Sequence, residues 1–482
     1  MIRQLQERIR SKGVKMFKQL RIQNFKGWKD TGDIRMAPLT LFFGANSSGK
    51  SSIGQFLMML KQTIESQDRK IVLFSGSSDS AVNVGTYREF INDRDEKNAL
   101  EFSYTWDITD TMDIPGFIKT KKKHGNHLSF TGKILQNESI HQGPFVSEFE
   151  YRMYNKYLDT RSPSVCMIGL QMTGKKLEYK TISDSIDLKK QKGRYWDLKY
   201  TLRFYGFPDE MVAYHKNADF VKDLNLVHEN LFKGMYYLGP LRNKAERLYT
   251  WAGIEPDSVG YLGQYTVPAI LSARNRKLNL RKRQSLHDFE KLIAIELKKM
   301  SLIEDFTVKP ITASRQEYEV KVRTNGSKSF VNLPDIGFGV SQVLPVLVQL
   351  FYAPANSTIL MEQPELHLHP KAQSDLADVV IDAIKAHENG SPRNIQLVLE
   401  THSEHFLRRL QRRVAEGVIS EDDIAIYFAK ITDTDSTLEP LKLDTYGNIE
   451  NWPENFFGDE MEDISRQTKA ALEKRITQLK KS

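Results

Sequence analysis

Residues 44–51, Gly-Ala-Asn-Ser-Ser-Gly-Lys-Ser, carry the spacing GxxxxGK[ST] in full. The chemistry that spacing serves is phosphate binding. Glycines let successive backbone N–H groups curl round an anion, and the helix that follows offers the positive end of its dipole. Gly44, Asn46, Ser47, Ser48, Gly49, Lys50, Ser51 and Ser52 are therefore the candidate ATP-binding residues. Lys50 is placed to reach the β- and γ-phosphates, and the Ser51 hydroxyl to ligate Mg²⁺. A second stretch, Ser357–Glu365 (STILMEQPE), is an apolar run ending in the carboxylate of Glu362. A carboxylate there holds Mg²⁺ through water, beside the P-loop hydroxyl. The next position commonly carries a glutamate that acts as base on the attacking water. Here it is Gln363, an amide that can orient water but cannot accept its proton. Glu365 keeps a carboxylate two residues on, which Pro364 can aim elsewhere.

Two further clusters have the right types. Glu400-Thr401-His402-Ser403 follows the apolar run IQLVL. A histidine at the end of a core strand can contact a γ-phosphate held at neighbouring strand ends. Taken alone, such a histidine is more often structural. Asp335–Gln342 sets Gly337, Gly339, Ser341 and Gln342 before an apolar stretch. That is either a second anion site at a helix start or a glycine loop with a cap.

The elements that must position these groups are legible as apolar patterns. Lys18–Phe25 alternates as a half-buried strand does, and Leu39–Phe43 is a continuous apolar run suited to a fully buried strand. Ile53–Ile64 reads as an amphipathic helix, so the glycine loop has its strand before it and its helix after it. Downstream, Glu290–Ser301 reads as a helix and Val331–Leu350 as a glycine-rich start running into an apolar helix. Ser357–Met361, Ile395–Leu399 and Ile424–Ile431 read as strands, alternating with helices at Lys371–His387 and Glu404–Ala415. Strand–helix alternation of this kind predicts an α/β fold with a parallel sheet. Between the halves the texture changes: Leu100–Trp106, His127–Leu135, Glu148–Tyr154, Ser164–Met172 and Tyr195–Phe204 look like short strands, with a helix near Asn217–Phe232. The predicted organisation is a basic N-terminal extension (1–17), a first ATPase part (18–97), a β-rich insertion lobe (98–325), a second ATPase part (326–435) and a C-terminal segment with a Lys-rich helix (436–482).

Composition narrows the classes. The 482 residues include one cysteine, Cys166, which rules out an intrachain disulfide and reads as an inert buried thiol in a reducing, cytoplasmic setting. No run reaches the apolar length of a membrane span. The N-terminus has charge without an apolar signal core, and Met16 is a second candidate start. A net charge of +8 mildly favours a polyanionic partner. Arg274–Arg283 and Lys119–Lys123 are its densest basic stretches; each is either a phosphate contact or a solvated face.

LRIQNFKGW, GANSSGKSS, LPDIGFGVSQVLPVL, ILMEQPELHLHPKAQ and LETHSEHFL, in that order, resemble the ABC-type ATPases of the SMC/RecF/OLD group, among them the bacterial "AAA family ATPase" proteins. YGNIENWPENFF resembles the C-terminal segment of one subfamily. The resemblance spans about Leu20 to Phe457 and is weakest over the insertion. It implies a P-loop NTPase with an SMC/RecF-like head. Gly337, Gly339, Ser341 and Gln342 would be the ABC signature, acting in trans on a partner subunit's ATP. His402 would be the switch histidine, and His367-Leu-His369-Pro370 a loop at the dimer interface rather than a metal site. Arg242, in YYLGPLR, is read either as a phosphate contact or as a structural ion pair. The implied partners are a second copy and a separate nuclease or toxin chain, with nucleic acid as a further candidate and no membrane. Coiled-coil arms, a zinc hook and a Toprim-like nuclease domain are not recognised in the sequence. A transporter ATPase is disfavoured by LRIQNFKGW and by the large insertion. What remains is a nucleotide switch or motor, set against an assembly scaffold with negligible hydrolysis.

Overall fold

The apolar runs become strands wherever both of their faces can be covered. The computed structural model describes residues 14–108, 126–137, 143–154, 166–173, 178–184, 186–193, 198–280, 285–312, 315–432, 435–453, 456, 465–472 and 474. In chain order the principal elements are β1 (Val14–Phe25), β2 (Trp28–Asp30), β3 (Leu39–Gly44), α1 (Lys50–Glu65), β4 (Leu100–Ile108), β5 (Asn126–Gln136), β6 (Pro144–Tyr154), β7 (Cys166–Thr173), β8 (Glu178–Asp184), α2 (Phe220–Lys233), β9 (Met235–Leu238), α3 (Phe289–Lys299), α4 (Phe338–Tyr352), β10 (Thr358–Glu362), α5 (Pro370–Lys385), β11 (Gln396–Glu400), α6 (Glu404–Ala415), β12 (Ile424–Thr432) and β13 (Asp435–Leu441).

Six strands form one sheet in the order β9-β10-β11-β3-β12-β13, parallel except for the antiparallel edge β13. Successive side chains point to opposite faces. Leu39, Leu41, Phe43, Ile359, Met361, Leu397, Leu399, Ile424 and Ile426 enter one core with α3 to α6. Phe42, Leu360, Val398, Ala425 and Tyr427 enter the other, with α1. Burial on both faces explains why these strands read as unbroken apolar runs. The second sheet has eight strands and is antiparallel, running β2-β1-β4-β5-β6-β7-β8 with Ile34–Arg35 on β1. Gln396 ties the sheets together: its Oε1 accepts from Phe17 N at 3.1 Å, and its Nε2 donates to Phe17 O at 2.9 Å and to Ala37 O at 3.1 Å.

Lys18–Phe25 is a strand, as its alternation predicts, and it pairs with β4 in the antiparallel sheet. Two sequence expectations change here. Met235–Leu238, placed within the insertion 98–325, is the edge strand of the six-stranded parallel sheet, paired parallel to Thr358–Met361. The described part of Tyr195–Phe204, residues 198–204, is not a strand. In its described part Leu198 makes one bridge to Tyr179, and the chain then turns back from Leu202 to Gly206, with Arg203 at φ 52°. Of the remaining readings, residues 1–13, Lys119–Lys123, Arg281–Arg283, about half of the C-terminal helix, and Glu454, Asn455 and Phe457 of YGNIENWPENFF lie outside the described residues. Among the described residues no helix is long and apolar enough to cross a membrane. Cys166 is buried, and burial pushes its thiol up to about 11, as expected of an inert group.

The antiparallel lobe packs α2 through a fully buried histidine. His228 lies between the hydroxyls of Tyr104 (2.7 Å to Nε2) and Tyr151 (2.7 Å to Nδ1). Tyr151 donates its own proton to Tyr205 O at 3.0 Å. Tyr151 therefore accepts from Nδ1–H, Tyr104 donates to Nε2, and the imidazole is neutral with every group satisfied. Burial holds its pKa well below the ordinary value. An unfolded histidine near pH 6.5 binds the proton that the folded one refuses, so this contribution to stability is present above pH 6.5 and is lost as pH falls below it. Urea unfolding should show that loss in the wild type and a flatter pH slope in His228→Phe. An unchanged slope in the variant would refute the assignment.

Candidate functional site

β3 ends at Gly44, whose φ is 139°. A Cβ there would lie 2.1 Å from Ala429 O in β12, so only glycine lets the chain leave the sheet at this point. The loop then turns through Ser47 at φ 63° and Gly49 at φ 91°, and α1 begins at Lys50 with Gly49 as its N-cap. Trp28 fixes the loop from the antiparallel lobe: its indole N–H donates to Ser52 Oγ at 2.8 Å and to Gly49 O at 3.1 Å. The Lys50 ammonium rests on two loop carbonyls, Gly44 O at 3.0 Å and Ala45 O at 2.6 Å. Burial lowers its pKa, with Glu400 acting the other way.

The carboxyl ends of β10 and β11 lie beside this loop, and Glu362 and Glu400 are register partners across them. Tyr237, on β9, donates to Glu362 Oε1 at 2.8 Å. Burial, and then the neighbouring Glu400, push Glu362 up to about 7. Burial also raises Glu400, while a hydrogen bond from the Ser51 hydroxyl and the Lys50 charge oppose the rise. Glu400 Oε2 is buried with no hydrogen-bond partner. Gln363 sits at φ 44°, strained for a side chain of its kind, and is held there from two sides. Its N–H donates to Glu400 O at 2.8 Å, and its carbonyl accepts from Arg242 at 3.1 Å.

Arg242 is itself buried and is not a phosphate contact. It donates to the carbonyls of Glu362 and Gln363 at 3.1 Å and of Gln342 at 3.4 Å, so it joins the end of β10 to the start of α4. Glu365 is turned away from the loop: its Oε1 accepts from His402 N at 2.8 Å and so shapes the turn that carries the histidine. Burial lowers the His402 pKa, and the Lys50 charge acts in the same direction, which keeps the imidazole neutral near pH 7.

These groups surround a cavity of about 390 Å³, within the range of small-molecule sites. Asn46, Ser47, Gly49, Lys50, Ser51, Ser52, Gln363 and His402 line it, together with Lys26, Gly27, Glu400 and Ser436. Gly44, Ser48 and Glu362 do not line it. The last four lining residues are not among the site residues expected from sequence. Lys26 and Gly27 lie in the LRIQNFKGW stretch and Glu400 ends the IQLVL run, so these three carry a signal. Ser436 carries none, since only the fold brings β13 beside Gly27.

Gly337, Gly339, Ser341 and Gln342 do not line this cavity. Gly337 caps α4 and is exposed, Ser341 Oγ donates to Phe338 O at 2.7 Å, and Gln342 is buried beneath them. Exposed Phe338 packs edge-on against His367, with ring centroids 5.0 Å apart. His369 Nδ1 accepts from Lys371 N at 3.3 Å as the cap of α5. Among the described residues no three His, Cys, Asp or Glu side chains converge on a metal-sized site. In the basic stretch from Arg274, Arg274 pairs with Glu290 at 3.3 Å, Arg276 with Glu388 at 2.9 Å and Lys277 with Asp288 at 3.8 Å. Those three cations are engaged within the chain.

The residues present fit ATP and Mg²⁺. A glycine-built loop opens onto a helix N-terminus, an ammonium is held by loop carbonyls, and a hydroxyl with a half-satisfied carboxylate forms the hard oxygen donor set that Mg²⁺ takes.

Comparison with known proteins gives the same class. A model described as "AAA ATPase domain" matches residues 16–233. One described as "AAA domain, putative AbiEii toxin, Type IV TA system" matches residues 212–408, and one described as "Protein of unknown function (DUF3696)" matches residues 419–467. No curated protein matches the sequence significantly. Among solved structures, an SMC head bound to the C-winged helix domain of ScpA is 12% identical, covering 89% of this chain and 98% of its own, with a TM-score of 0.41. The SMC head domain from Thermotoga maritima is 10% identical, covering 89% and 99%, with a TM-score of 0.36. With ATPase-domain models matched from residue 16 through residue 408 and a P-loop at the heart of its parallel sheet, the chain has the fold of a P-loop NTPase and is similar to AAA ATPase domains.

Proposed function

We propose that the chain binds MgATP in this cavity, closes a dimer around two nucleotides and hydrolyses them slowly, as a switch. The observation that carries the reading is the wall itself: P-loop, His402 and Gln363 face one cavity, while Gly337, Gly339, Ser341 and Gln342 of the same chain do not line it. Lys50 leaves its loop carbonyls for the β- and γ-phosphates, and the loop amides hold the remaining oxygens. Ser51 ligates Mg²⁺, with Glu362 acting through water. Bound Mg²⁺ neutralises charge that builds on the phosphates as the terminal bond breaks. His402, neutral, donates toward the γ-phosphate. Gln363 orients the attacking water but takes no proton from it, which removes one source of rate. The signature residues of a second copy complete the site from the open side.

The downstream system is one that acts on nucleic acid or carries an effector nuclease or toxin, with defence against phage as its setting. The toxin–antitoxin description of one matching model and the net charge of +8 support this. A second reading is an assembly scaffold whose ATP stays bound, and Gln363 favours it. Calorimetry with MgATP, paired with phosphate release, tests both. One nucleotide per chain with turnover well below the ordinary enzyme median of about 10 s⁻¹ is expected. No binding removes both readings, and turnover at or above that median removes the role given to Gln363. Filter binding to duplex and single-stranded DNA over a salt series tests the nucleic-acid part; no retention at low salt rejects it.

A further inference from the structure

The two carboxylates at the sheet edge are not equivalent. Glu362, at the position where the motif puts the metal carboxylate, is engaged by the Tyr237 hydroxyl at 2.8 Å and does not line the cavity. Glu400, its register partner one strand away, is in the wall. Its side chain meets the Ser51 hydroxyl, and its Oε2 is buried with no partner, in a residue only 9% exposed. A buried carboxylate oxygen left unpaired is costly, and a cation beside it removes that cost. The cavity holds Lys50 near Glu400, but that ammonium is bonded to Gly44 and Ala45 carbonyls. A second cation fits the gap.

We propose that Glu400, together with Ser51, is the carboxylate that faces Mg²⁺ in this protein, and that Glu362 acts as an outer partner fixed by Tyr237. This rests on the reading of the cavity as an MgATP site. It assigns Glu400 a role that neither the P-loop spacing nor the STILMEQPE run gives it. Two carboxylates at one metal also raise the site's negative charge, so nucleotide binding should depend on the divalent cation more steeply than with a single carboxylate.

The test measures binding rather than turnover. Calorimetric titration with the non-hydrolysable analogue AMP-PNP is run in excess Mg²⁺ and again in EDTA, on the full chain. The wild type should bind more tightly with Mg²⁺. Glu400→Gln should lose most of that gain, by roughly ten-fold or more, while its affinity in EDTA stays the same or rises. Glu362→Gln should lose less. Mn²⁺ electron paramagnetic resonance on the nucleotide complex gives the metal affinity directly and should follow the same order. An unchanged Mg²⁺ gain in Glu400→Gln, or a larger loss in Glu362→Gln, overturns the inference and leaves the MgATP reading standing. Absence of AMP-PNP binding to the wild type in Mg²⁺ overturns both. Thermal melting checks that each variant folds. If Glu400→Gln does not fold, Glu400→Asp keeps the charge and shortens the reach: a reduced Mg²⁺ gain supports the inference and an unchanged gain overturns it.

Discussion

Gln363→Glu should raise ATP turnover at least about tenfold, toward the 10²-fold at the low end of what a positioned base contributes. The amide lines the cavity, and its backbone is already fixed at φ 44° by Glu400 O and Arg242. A glutamate needs no new backbone conformation to occupy that place. It would add a third carboxylate beside Glu362 and Glu400, and like-charge repulsion there limits the gain. Phosphate release under saturating MgATP measures it. Turnover unchanged or lowered would mean that the proton leaves by another route and that Gln363 does not stand in the place of a base.

The second large effect is on binding. Lys50→Ala should abolish stabilisation by MgATP. At a nucleotide concentration 100 times the dissociation constant, a ligand that binds only the folded chain adds about 2.7 kcal/mol. Differential scanning should show that gain as a rise in the wild-type melting temperature, and no rise in Lys50→Ala at the same concentration. The free variant should melt close to the wild type, because the ammonium is held by loop carbonyls and not by a buried carboxylate. A melting shift equal to the wild type's would show that the nucleotide sits elsewhere.

Much of this site can be read from residue types. The P-loop, Glu362, Gln363 and His402 follow strands that are apolar on both faces, and such runs are hard to mistake in sequence. Glu404–Ala415 is helical over the residues expected, because Ser403 caps it and its apolar stripe is regular. What escapes the sequence depends on pairing between distant segments. Lys18–Phe25 alternates like any half-buried strand, and nothing local says which sheet it joins. Met235–Leu238 is too short to announce itself as a sheet edge, yet it delivers Tyr237 to Glu362. Arg242 has the chemistry to meet a phosphate, and only burial against three carbonyls shows it holding β10 to α4. Glu400 is visible as the acid that ends IQLVL. Its importance appears only when register places it beside Glu362 and Ser51.

The proposed switch needs a second copy at each site. Gly337, Gly339 and Ser341 do not line their own cavity, and in the proposed closure a second copy's signature residues complete the site. Sedimentation velocity decides this with the wild-type chain, whose turnover of ATP is expected to be slow. The mass should double when MgATP is added, stay single with MgADP, and stay single with MgATP once Ser341→Arg is introduced. A chain that binds MgATP and still sediments as a monomer would contradict the proposed closure around two nucleotides.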